Sequence, residues 1–174
     1  VIRRPFRALL ATLAVAGMMT LAACTTPAPA PTPSATGFTD EAEAFAAAEE
    51  TYRAYVDALN RRREDPTGNP TPEQFLSGNA LDSDVDSQRQ LDEAGLRITG
   101  ASSVERVLPS TFELPDQVSI VVCLDSSETR VVDDSGQDKT PADRATVSRL
   151  SVDLVRDSDV WLISDSQLIG EDQC

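Results

Sequence analysis

The chain has 174 residues, with 15 basic and 29 acidic side chains, no histidine and a formal charge of −14. A surface this acidic repels phosphate backbones and anionic headgroups, which argues against nucleic acid as a partner. The missing histidine removes Ser-His-Asp and Cys-His nucleophile activation and His-ligated zinc, since no other side chain is a ready base near neutral pH.

The chain opens with Arg3, Arg4 and Arg7, followed by an apolar run over residues 8–23 that ends in Leu21-Ala22-Ala23-Cys24. A basic start, an apolar core and small residues before a cut are the three parts of an export signal. An uncleaved membrane anchor is the alternative, but the run is rich in Ala, Gly and Thr and is shorter than the roughly 20 residues a span needs. The LAAC sequence resembles the lipobox of bacterial lipoproteins. That resemblance implies a signal peptide over 1–23, a diacylglyceryl group on the Cys24 thiol with acylation of the palmitate type, and a lipid-anchored protein on the extracytoplasmic side of the cell membrane. Two or more acyl chains anchor stably where one does not, at about 0.8 kcal/mol per buried methylene. Processing would leave twelve basic residues against twenty-nine acidic ones, a charge of −17.

Residues 24–37 form a tether. Pro27, Pro29, Pro31 and Pro33 forbid a regular helix or ladder there and favour extended, polyproline-like backbone. The remaining 137 residues, 38–174, suit one domain with one core.

Within that domain the spacing predicts a helix over 40–63, with Phe45, Ala48, Tyr52, Tyr55, Val56 and Leu59 on one face. Thr39 or Asp40 caps its start, Arg61, Arg62 and Arg63 suit its negative end, and Pro66 stops it. A short helix over 72–76 opens on Thr71, and a second over 80–94 is expected to bury Leu81, Val85 and Leu91 and to end at Gly95. After Gly95 the period changes to two. Strands are expected at 96–98, 104–108, 117–125, 129–132, 145–156 and 160–169, with a bulge at Gly100 and Val118, Ile120, Val122 and Leu124 on one face of the clearest strand. Helices followed by antiparallel strands give an α+β fold, with the long helix across a curved sheet.

With Cys24 assigned to lipid, Cys123 and Cys174 remain as an even pair in an exported chain, where such a pair closes into a disulfide.

The element order, FLSGNAL ahead of the second long helix and the closing hairpin VDLVRDSDVWLISD resemble the cone-shaped NTF2-like fold, with a cystatin-like sheet around one helix as the alternative. Enzymes of the resembled fold use an acidic or histidine base with tyrosines that polarise a carbonyl. Here Tyr52 and Tyr55, with Asp153 or Asp125, would fill those places, although Tyr52 also fits a core aromatic with its hydroxyl at the rim. Asp82, Asp84, Asp86 and Glu93 stand at positions 1, 3, 5 and 12 of a calcium loop. However, Ser87 replaces the turn glycine, and a helix there would scatter the carboxylates. No metal or other cofactor is expected. The leading expectation is a non-enzymatic module that docks a protein partner in the cell envelope. A carrier of a small apolar ligand comes next, and a small isomerase- or lyase-like enzyme last.

Overall fold

The computed structural model describes residues 40–113, 116–171 and 174. Helix α1 (Glu41–Glu64) starts at Asp40, whose carboxylate accepts from the Ala42 N–H at 2.9 Å. It carries Glu41 and Glu43 at its positive end and Arg61, Arg62 and Arg63 at its negative end, as the dipole favours. Its buried residues include Ala44, Ala48, Tyr52 and Val56, one turn apart. Two of the four are alanines, so the helix axis lies close to the sheet beneath.

A 3₁₀ turn (Pro72–Phe75) with proline in its first turn leads to α2 (Gly78–Glu93). The strands are β1 (Leu96–Thr99), β2 (Ser103–Glu113), β3 (Gln117–Asp125), β4 (Arg130–Asp133), β5 (Val147–Asp157) and β6 (Val160–Glu171). Four of them form an antiparallel sheet in the order β2-β3-β5-β6, and β1 pairs antiparallel with β4 in a separate two-stranded ribbon. The fold is α+β.

Both helices pack on the face that presents Val118, Ile120 and Val122 of β3, Val152 and Leu154 of β5, and Trp161 and Ile163 of β6. These side chains are at most 5% exposed. Burying a residue of this size contributes about 1.5–3 kcal/mol, so this one face supplies much of the driving force for folding.

The ribbon of β1 and β4 continues the β2–β3 hairpin past a break at residues 100–102. Gly100 adopts φ +78°, and a Cβ there would lie 2.2 Å from the Glu128 carbonyl oxygen. Only glycine allows the two backbones to cross this closely. The Asn60 carboxamide of α1 clamps the same break, donating to the Ser102 carbonyl at 2.8 Å and accepting from the Ser102 N–H at 2.9 Å.

Cys123 and Cys174 form a disulfide across 51 residues. Cys123 alternates out of the core on β3, in register with Arg106 and Arg149, and Arg106 donates to the Cys174 carbonyl at 3.2 Å. The C-terminus is thereby tied to the sheet face opposite the helices.

One expectation fails in α2. No residue of this helix is fully buried, and Val85 is 51% exposed. The residues of α2 that line the cavity beneath it are half-buried Ala80 and Asp84 and exposed Ser83 and Ser87, with half-buried Leu81 and Leu91 on the flank, so an ion pair and small side chains take the place of an apolar seam. The 72–76 helix is a 3₁₀ turn, and β2 runs five residues beyond its expected end. Cys24 and the tether lie outside the described residues. Among the described residues no helix is long and apolar enough to cross a membrane.

Candidate ligand cavity

Where α1, α2 and the sheet converge, a cavity of about 250 Å3 remains. Tyr52 and Tyr55 enter it from α1. Ser83, Asp84 and Ser87 enter from α2, Leu124 and Leu150 from β3 and β5, and Ile163 from β6. The helical spacing of 80, 83, 84 and 87 places small residues along the α2 wall, which leaves this space open.

The two tyrosine rings meet edge to face, with centroids 5.9 Å apart. Tyr52 is 2% exposed and Tyr55 half-buried. The tyrosines share a cavity of mixed character, with Ser83, Asp84, Ser87, Asp165 and Ser166 on its polar side and Leu59, Leu76, Leu124, Leu150 and Ile163 on its apolar side. Burial, with the neighbouring Tyr55, pushes the Tyr52 phenol well above its usual value. Tyr55 is pushed up to about 12, first by burial and then by the carboxylate of Asp84. Both therefore stay protonated and neutral at physiological pH, and both can donate.

Asp84 is not a free acid. Arg62 grips it with two parallel bonds, Nη1 to Oδ2 and Nη2 to Oδ1, each 2.7 Å, and Nη1 also donates to Glu73 at 2.9 Å. The hydrogen bond to Asp84 raises the guanidinium above its usual value. This pair stands in the wall between that cavity and a second recess of about 680 Å3, because Leu59, Asp84 and Ser87 line both. Arg63 turns the other way, to Asn60, Gly100 and Ser102.

The sequence-predicted residues separate accordingly. Tyr52 and Tyr55 come together. Asp153 does not join them: it alternates with core residues Val152 and Leu154, lies exposed on the opposite face, and accepts from the Ser119 hydroxyl at 2.6 Å. Asp125 accepts from the Ser127 N–H in a turn. The calcium-loop stretch is helical, with Asp84 held by Arg62 and Asp86 and Glu93 both paired to Arg89. Among the described residues no three His, Cys, Asp or Glu side chains gather as a metal site. Sequence reasoning missed Asp84 as the partner of Arg62 and the serine stripe on α2. The 80-83-84-87 spacing carried the signal for the second.

No protein-family model matches the chain, and no curated protein matches it. Among solved structures it is similar to the intermembrane space region of the chloroplast protein ARC6, with a TM-score of 0.45 and 14% identity, covering 70% of this chain and 96% of that one.

Proposed function

We propose that this chain is an exported, lipid-anchored binding domain with an NTF2-like cone, which holds a small, largely apolar ligand between α1, α2 and the sheet without turning it over. The observation that carries this reading is the cavity of about 250 Å3 between α1, α2 and the sheet, into which Tyr52 and Tyr55 project beside Leu124, Leu150 and Ile163. Two protonated donors fit a ligand with one acceptor oxygen, and at about 250 Å3 the chamber lies just below the usual range of roughly 300–1,000 Å3, which favours a small ligand. The absence of histidine, the engagement of Asp84 by Arg62 and that of Asp165, which also lines the cavity, by the Gln167 carboxamide at 2.7 Å support binding over catalysis. A second helix on the same sheet face as α1 favours the cone over a cystatin-like arrangement. LAAC and the proline-rich stretch behind it support the anchor.

A bound ligand stabilises the folded state by mass action. Protein purified in its native state from its own envelope is therefore expected to melt at a higher temperature than the same protein after denaturation, dialysis and refolding. Equal melting temperatures, with native activity of the refolding procedure verified by the restored disulfide, would count against a resident ligand. The anchor is tested apart from the cavity: Cys24→Ser should move the protein from the membrane fraction to the soluble one.

A further inference from the structure

On the other flank of α1, a groove of about 580 Å3 runs between the first half of the helix and β2. Phe45 and Val107 form its walls, Pro109 its lip and Ile120 its floor. It shares no lining residue with the tyrosine cavity. Three carboxylates, Asp40, Glu41 and Glu49, stand at its edge, and no Lys or Arg is among the lining residues.

We infer that this groove docks a cationic segment of another protein, with one bulky apolar side chain between Phe45 and Val107 and Lys or Arg side chains against Glu41 and Glu49. Charge selects this occupant. An apolar floor alone would accept any greasy segment, but a rim of carboxylates on a chain of net charge −14 repels acidic ones. Among the described residues Arg53 pairs with Glu49 at 2.8 Å, with both side chains over 40% exposed, and also donates to the Val104 carbonyl at 2.9 Å; so exposed a pair is worth little, and Glu49 can accept from an incoming guanidinium as well. Helix α1 rises about 1.5 Å per residue, so the groove from Asp40 to Glu49 accommodates about four extended residues. The segment is held by its side chains and not by strand addition. Pro109 has no N–H to offer, and the register of β2 shifts directly after it, both of which blunt that edge.

The test uses the full lipidated chain in detergent and short fluorescent peptides that carry a central Leu or Phe between Arg or Lys residues. One control series has Glu in place of the basic residues, the other Ser in place of the apolar one. The expected result is binding by the cationic, apolar peptides alone, weakened at least about tenfold by high salt and about tenfold by either Ala46→Arg or Glu41→Lys. If Ala46→Arg lowers the melting temperature, Glu41→Lys on the exposed rim decides. Absence of binding, equal binding of the acidic series, or indifference to Glu41→Lys would overturn the inference. So would binding that emerges only when residues 25–37 are deleted, which would make the chain itself the occupant. Dissociation of a dimer by Ala46→Arg would assign the groove to a second copy. None of these outcomes touches the tyrosine cavity.

Discussion

Arg62 and Asp84 meet fork to fork, with two nitrogen–oxygen distances of 2.7 Å and side chains only 17% and 9% exposed. They join α1 to a helix that buries none of its own residues fully. Attachment of α2 thus depends on a charge pair and on the half-buried Leu81 and Leu91, a weaker hold than an apolar seam would give.

Breaking that pair from one side leaves a desolvated charge behind. Asp84→Ala should lower the unfolding free energy by about 2–4 kcal/mol in urea titrations, whereas the double variant Arg62→Met with Asp84→Leu should recover most of the loss. A double variant as unstable as the single one would show that the pair itself, and not the orphaned charge, carries the energy.

The tyrosines make stability depend on alkaline pH. Tyr55 ionises near its usual value of 10 when unfolded and at about 12 when folded, so the folded state prefers the protonated phenol. The stabilisation is fully present below pH 10 and is lost as pH rises through 12. Because the chain has two tyrosines, phenolate absorbance reports on both, and the whole rise should come above the pH at which free tyrosine titrates. A normal titration with the protein still folded would place the hydroxyls in water.

At Gly100 both the positive φ and the 2.2 Å approach to the Glu128 carbonyl forbid a side chain. Gly100→Ala should cost about 2 kcal/mol or more, and a melting curve would detect it as a clear shift. Gly136 has φ +81° but open space around it, so Gly136→Ala should cost less.

The disulfide closes a loop with a separation of 51 residues. Chain entropy puts its contribution at roughly 4 kcal/mol as an upper figure. Cys123→Ser should free one thiol at Cys174 and lower the melting temperature, with Trp161 fluorescence as the reporter from the core. An unchanged thiol count would mean the two sulfurs are not joined.

Much of this architecture was legible along the chain. The four-residue rhythm of α1, the alternation of β3 and the even cysteine pair each follow from a local period or a count, and the structure bears them out. What escaped depends on distance in sequence. Nothing near Asp84 announces Arg62, twenty-two residues earlier, and a helix wheel alone assigns Val85 to the core because it scores apolarity and ignores a charge pair. The ribbon of β1 and β4 escaped for another reason: strands of four residues carry too few alternations to show which partner they take. At the cavity, the tyrosines stood out as aromatics on the first helix, whereas Asp153 alternates with Val152 and Leu154, a pattern that by itself sets it on the face of β5 away from the core.

Native mass spectrometry of the protein gently extracted from its own envelope, beside a Tyr52→Phe and Tyr55→Phe double variant, tests the cavity most directly. The account predicts a single small added mass on the wild-type chain, beyond any lipid on Cys24, that is reduced or absent in the double variant. A wild-type chain carrying nothing but its lipid, or an added mass that persists undiminished without both hydroxyls, would contradict it.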